Sequence, residues 1–320
     1  MSRLNRKIGG FLVFVLILNS AFSQKTSLII DADTGNEMDD LYAITRALVD
    51  PKVEVIGVVS AHFNNPMLVT DSMWHTFKTK GINTVKISQQ LNAQLLKSLG
   101  KEEIPHPQGA EKMIGYTWGY YQGAQVPTSE GIDFIISEAK KRSPENKLNI
   151  CILGPATNVA AAIETAPEII PNIKVYMLGT RYNAVTAVWN KNSFNARNDL
   201  NALDVLFNTK NLDLTMLPIS FVDNFKFDRD ETLQKLKAKK NTNAQILAQL
   251  WTDVAENRGK WIMWDLALIE AVVNPNMARL EKRTTPPENT QRTIGVYTKI
   301  DEKAMEDKFW ELYTAYTDFR

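Results

Sequence analysis

Short runs of wholly apolar residues alternate along this chain with stretches whose apolar positions recur at helical spacing. The runs Ser27–Ala32, Val53–Ser60, Val85–Ile87, Leu148–Leu153, Ile173–Leu178 and Leu212–Leu217 predict strands. Several are apolar throughout instead of alternating, as expected of strands covered on both faces in a parallel sheet. Helical periodicity covers Asp39–Val49, Thr70–Lys80, Gly131–Lys141 and Ala156–Thr165. The alternation predicts an α/β, Rossmann-like fold with a mainly parallel central sheet flanked by helices. KLKAKKNTN, Lys235–Asn243, predicts a solvated basic face between two helices, and TTPPENT, Thr284–Thr290, a surface loop.

The first residues follow another pattern. Arg3, Arg6 and Lys7 precede an apolar core from Phe11 to Leu18, and Ala21-Phe22-Ser23 is a small-x-small cleavage pattern. This predicts a secretory signal peptide over residues 1–23. The apolar run is about half the ~20 residues that a spanning helix needs. The expectation is an exported chain, periplasmic or secreted, free of the membrane after cleavage, with one domain over residues 24–320.

Charge narrows the partners. Lys+Arg total 37 and Asp+Glu 36, a balance that points away from a nucleic-acid backbone or an anionic membrane. The single cysteine, Cys151, excludes an intrachain disulfide. Its apolar setting, LNICILG, predicts a buried strand residue and not a nucleophile.

Against that balance, SLIIDADTGNEMDDLYAITRAL, Ser27–Leu48, stands out. Asp31, Asp33, Glu37, Asp39 and Asp40 cluster where a predicted strand ends and a predicted helix begins. Ligands in such sheets bind beyond the carboxyl ends of the strands. Capping and turn formation account for Asp39 or Asp40, but not for all five acids. Two carboxylates ~4 Å apart repel by about 4 kcal/mol at an effective dielectric of about 20. Convergence of several implies a bound cation or strongly raised pKa values. Oxygen-only ligands point to a hard ion, calcium or magnesium.

DADTG…DD followed by an Ala-containing helix resembles the N-terminal signature of the inosine-uridine-preferring nucleoside hydrolases. ILGPATNVAAAI, Ile152–Ile163, is similar to that family's Gly-Pro-x-Thr-Asn helix start. SFNARNDLNA, Ser193–Ala202, resembles its Glu-Phe-Asn segment, and WDLAL, Trp264–Leu268, stands where the family has His-Asp. VIGVVSAHFNN, Val55–Asn65, resembles its second strand and the Asn loop after it. The resemblance implies a calcium-dependent N-ribohydrolase acting on a nucleoside or related N-ribosyl compound, as a homo-oligomer, dimer or tetramer. Carried over by position, Asp33 contacts Ca2+ and takes a proton from water. Asp40, Asp265 and the Leu153 carbonyl complete the metal set. Asp39, Asn195 and Asp265 bind ribose, with Asn64 or Asn65 near the sugar.

This chain departs from the family pattern in four places. Thr34 stands where Pro is common. Three residues separate Gly35 from Asp39, where the commoner form has one, so the ribose contact falls to Asn36, Glu37 or Asp39. Ser193 replaces a Glu, and Trp264 replaces a His that protonates the leaving base. His62, after the second strand, and His106, in IPHPQGAEKMI, are the candidates for that missing acid. His75 reads as a surface or packing residue. Trp251, Trp261 and Trp264 are candidates to stack on a base. Two other readings stand beside the hydrolase. One is a non-catalytic ribose-binding protein on the same scaffold, favoured by Ser193 and Trp264. The other is a metal-dependent phosphohydrolase using Arg181 or Arg197, for which no phosphate-loop pattern is present.

Overall fold

The computed structural model describes residues 25–65, 81–115 and 125–318, apart from Val254 and Glu256. The predicted signal peptide, the helical pattern Thr70–Lys80 and His75 lie outside them. In chain order the elements are β1 (Thr26–Ala32), α1 (Asp39–Val49), β2 (Val53–Ser60), α2 (Thr84–Ser98), α3 (Glu130–Lys140), β3 (Leu148–Ile152), α4 (Thr157–Thr165) and β4 (Ile173–Leu178). A hairpin of β5 (Arg181–Asn183) and β6 (Val188–Asn190) follows, then α5 (Phe194–Asn198), α6 (Leu200–Asn208) and β7 (Asp213–Leu217). The last third holds β8 (Lys226–Asp228), α7 (Arg229–Lys237), α8 (Thr242–Asp253), β9 (Lys260–Ile262), α9 (Trp264–Val273), β10 (Ala278–Thr284), β11 (Thr293–Ile300) and α10 (Glu302–Asp318).

The central sheet runs β10-β11-β7-β4-β3-β1-β2. Its pairs are parallel except β10 with β11 at one edge. Successive strand residues alternate between two apolar cores, one on each face. Leu28, Ile30, Cys151, Tyr176 and Leu178 join one core; Ile29, Ile150, Ile152, Val175 and Met177 join the other. Both faces are thus covered, which is why the strands read as continuous apolar runs. Helix α1 is buried along its whole length, sandwiched against α9, α10 and β2. Among the described residues no helix is long and apolar enough to cross a membrane.

Five of the six predicted strands are present within a residue or so of their expected bounds. The sixth, Val85–Ile87, is instead the first turn of α2. Asn83 caps that helix by accepting from the Lys86 N–H at 3.2 Å. Its buried positions Val85, Ser88, Asn92, Leu95 and Leu96 recur at helical spacing, a period that a three-residue window cannot reveal. The basic segment joins α7 to α8 with Lys237 and Lys240 exposed, as expected. The loop Thr284–Thr290 is more packed than its composition suggests. Asn289 is buried and donates to Asp204 at 2.9 Å and Asn208 at 3.1 Å.

Candidate active site

Three strand ends and two helix starts meet at one edge of the sheet. Asp33 follows β1, and Asp39 and Asp40 open α1, where the helix dipole tolerates negative charge. Leu153 follows β3, and Leu178 ends β4. Short α5 presents Asn195, and the first turn of α9 presents Trp264 and Asp265. Together they line a cavity of about 450 Å³.

The long loop between Asp33 and Asp39 is anchored to α2. The Thr34 hydroxyl lies 3.0 Å from the Ser88 carbonyl and 2.9 Å from Asn92 Oδ1. The Ser88 hydroxyl donates back to the Thr34 carbonyl at 2.7 Å. Gly35 turns the chain at φ +110°, and a Cβ there would sit 2.7 Å from Ile87 Cγ2. The two extra residues bulge into the cavity, so Asn36, Glu37 and Asp39 all line it.

Electrostatics at this site are dominated by crowding. Asp33, Asp39, Asp40 and Asp265 are each 4% exposed or less. Burial, then the neighbouring carboxylates, push Asp33, Asp40 and Asp265 well above the usual carboxylate range. Burial raises Glu37 as well, with Asp39 and Asp40 adding to it and Arg258 opposing. Asp39 is raised by burial only to about 6, because the Asp265 N–H holds its charged form.

A divalent cation fits this arrangement. One oxygen from each of Asp39, Asp40 and Asp265 lies within 4.8 Å of the others. Oδ1 of each is buried without a hydrogen-bond partner among the described residues. Asp33 packs so tightly on Gly154 that a Cβ there would lie 2.8 Å from its Oδ1, which places it beside the Leu153 backbone. The donor set is all oxygen, suited to a hard ion. The Leu153 carbonyl accepts from the Asn195 amide, which ties two of the predicted site residues together.

Other predicted site residues fall outside the cavity. His62 is fully buried, 2.9 Å from the Thr157 hydroxyl, which donates to Asp199 at 2.6 Å. His62 Nε2 therefore carries the proton in this chain of bonds, and burial pushes its pKa down to about 4. His106 is half-buried, with Nδ1 2.9 Å from the Ile104 carbonyl. Neither ring lines the cavity. Asn64 donates to the Glu111 carbonyl at 3.1 Å. Asn65 donates its amide to the Arg197 carbonyl at 2.7 Å and its backbone N–H to Asn198 at 3.2 Å. These asparagines hold their loop in place, away from the cavity wall. Trp251 is core: fully buried, it donates to the Tyr42 hydroxyl at 2.9 Å. Cys151 is likewise buried in its strand, its thiol pushed up to about 12.

Ser193 lines the cavity and accepts from the Thr180 N–H at 2.8 Å. The bond supports Thr180 in a left-handed conformation, φ 63°, uncommon for a β-branched residue. Trp261 and Trp264 lie on the cavity wall, and the Arg258 guanidinium stacks on Trp261 at 4.8 Å. Arg258, like Gly179 and Ile219, lines the cavity without having been singled out in the sequence; it is the charged one of the three. It lies between α8 and β9, where neither helical nor strand periodicity marks it.

The chain matches the model of the inosine-uridine preferring nucleoside hydrolase family over residues 28–309. It is 25% identical to a probable uridine nucleosidase 2 of Arabidopsis thaliana over 232 residues, 72% of this chain and 70% of that one. It is 26% identical to a probable uridine nucleosidase 1 of Oryza sativa subsp. japonica over 302 residues, 87% and 86% of the two chains. Among solved structures, an inosine-guanosine nucleoside hydrolase has the same fold at TM-score 0.67, with 18% identity, over 90% of this chain and 98% of that one. A purine-preferring ribonucleoside hydrolase from Gardnerella vaginalis gives TM-score 0.64 and 19% identity over 92% and 100%. With its acidic strand-end site and a family match over most of its length, this chain belongs to the inosine-uridine preferring nucleoside hydrolase family.

Proposed function

We propose that this nucleoside N-ribohydrolase is exported and works with calcium, cleaving the C–N bond of a ribonucleoside or related N-riboside by attack of water. The observation that carries this reading is the pair of orphaned Oδ1 atoms on Asp40 and Asp265, clustered with Asp39 and beside Asp33. Asp40, Asp265, Asp33 and the Leu153 carbonyl would hold the ion. When bound, a divalent cation orients a water and lowers its pKa.

The chain's own residues supply the rest. Asp33 is the base that accepts the proton of the attacking water. Asp39 keeps one oxygen on the Asp265 N–H and turns the other to the ribose diol, where Asn195 adds an amide. C–N cleavage builds positive charge on the sugar, and the surrounding buried carboxylates favour that charge. Trp261 and Trp264 offer flat apolar walls to a base. With His62 and His106 off the cavity wall, the departing base has no imidazole donor among the described residues, which favours substrates whose leaving group departs unaided.

Reducing-sugar release from a panel of nucleosides and an activated riboside, with and without a calcium chelator, tests this. Release that the chelator abolishes and calcium restores is expected. Chelator-insensitive release overturns the calcium assignment. Ribose binding by calorimetry without release from any substrate overturns the catalytic reading.

A further inference from the structure

Between α1 and α9 lies a charged group that the catalytic reading leaves unused. Arg46 and Glu270 are both 0% exposed. Arg46 Nε and a terminal nitrogen grip the two Glu270 oxygens at 2.5 and 3.1 Å. Its other terminal nitrogen donates to Asp50 at 2.8 Å. Asn274 donates to Glu270 at 2.7 Å, and the Lys52 N–H holds Asp50 at 2.8 Å. Every partner is engaged, and the fork geometry is one that only a guanidinium makes.

A buried ion pair is often no more stabilising than an apolar pair of the same volume. Its worth here is sought in placement. Arg46 lies on α1, the helix that opens with Asp39 and Asp40; Glu270 lies on α9, the helix that opens with Asp265. At about 1.5 Å rise per residue, Arg46 stands about 9 Å along α1 from Asp40, and Glu270 about 7.5 Å along α9 from Asp265. The Asp265 N–H bond to Asp39 joins the same two helices at their first turns. The helices are therefore tied at two levels, and the spacing of the three carboxylates between them follows from both ties.

We propose that the Arg46–Glu270 pair is a positioning clamp for the cation site: it fixes α1 against α9 so that Asp39, Asp40 and Asp265 stay close despite their mutual repulsion. The inference rests on the metal reading above. Partners that orient metal ligands typically contribute about 10–100-fold in metal affinity, and that is the effect expected here.

The test is calcium titration of chelator-stripped protein by calorimetry, with melting measured alongside. In the variant R46M/D50N/E270M, methionines fill the clamp's volume without charge. It should melt near the parent yet bind calcium about 10–100-fold more weakly, with turnover recovered at saturating calcium. I135V, in the opposite core, serves as a control for stability loss and should leave the affinity unchanged. If the triple variant does not fold, R46K answers instead: a single ammonium cannot hold both Glu270 oxygens in the fork, and the affinity should still fall. Parent-like calcium affinity in either variant overturns the clamp while leaving the metal site standing. A parent protein that binds no calcium overturns the metal site and the clamp with it.

Discussion

The backbone N–H of Asp265 donates to Asp39 Oδ2 at 3.0 Å, joining residues 226 positions apart. This bond occupies one oxygen of Asp39 and so separates its task from that of Asp40, which keeps no such backbone partner across the helices. The division predicts distinct variants. Asp40→Ala should lose calcium affinity and turnover together. Asp33→Asn should keep much of the calcium but lose turnover by about 10²–10⁴-fold, the usual contribution of a general base. Calcium titration and steady-state rates on one confirmed substrate check both. Near-normal turnover in Asp33→Asn would show that another group is the base.

The leaving group gives a second expectation. An acid typically contributes about 10²–10⁴-fold, and the His62 and His106 imidazoles lie off the cavity. A nitrophenyl riboside should therefore be cleaved much faster than inosine. His62→Ala and His106→Ala should leave the ratio of the two rates unchanged, since any cost falls on stability through lost packing and hydrogen bonds. A ratio near one in the parent, abolished in either variant, would restore that histidine as the acid.

The proposed calcium ion competes with protons for the carboxylates of this cluster. Burial raises Asp39 to about 6 and, with the neighbouring carboxylates, holds Asp33, Asp40 and Asp265 well above the usual carboxylate range. The folded, calcium-free chain thus binds these protons more tightly than the unfolded chain. Its stability from them is present at low pH and is lost as pH rises through the folded values. Calcium needs the ionised cluster, so its stabilising effect should grow across that window. His62 acts in the opposite direction, its pKa lowered by burial to about 4, but it does so with or without calcium and cancels in the difference. Melting midpoints with and without excess calcium, at about pH 5 and about pH 8, check this. An equal calcium-induced shift at both would refute the linkage.

Gly35 predicts a stability cost that is local to the acidic loop. Its φ of +110° is one that an L side chain rarely adopts, and an added Cβ meets Ile87 at 2.7 Å. Gly35→Ala should cost on the order of 1–3 kcal/mol and weaken calcium binding, because Asn36, Glu37 and Asp39 ride on that turn. Adding Ile87→Ala should recover the steric part only. Denaturant unfolding of the two variants separates the terms.

Export makes a simpler prediction. Expressed with its leader in an exporting host, the mature protein should begin at Gln24. N-terminal sequencing decides it, and a mature chain beginning at Met1 would overturn it.

Much of this was visible in the residue order. Strands covered on both faces announce themselves as apolar runs, and the acids at the end of Ser27–Ala32 could be assigned to a strand mouth for that reason. Asp33, Asp39, Asp40, Leu153, Asn195, Trp264 and Asp265 line one cavity, although they come from segments far apart. Other features depend on three-dimensional partners. Val85–Ile87 is too short a window to reveal its period. Asn64 and Asn65 have the right chemistry in the right loop, but Glu111, Arg197 and Asn198 take up their hydrogen bonds. His62 follows the correct strand, yet its ring turns to Thr157. Which way a loop side chain faces is decided by packing that no periodicity records. Arg258 joins the cavity through its stacking on Trp261, an association between a loop residue and the short strand β9 with no pattern to find.

The tie between Asp39 and Asp265 has a consequence for the life of the molecule. Because the acidic cluster draws on α1 and on α9, more than two hundred residues later, it cannot exist on a nascent or truncated polypeptide that stops short of α9. A chain in that condition displays single carboxylates to solvent, with their ordinary acidity and little hold on calcium. The cluster comes into being only when α1 and α9 have met, and it vanishes when either one detaches. Capture of the proposed ion is then a report that these two distant helices have docked, and loss of either one silences the site instead of leaving it partly active.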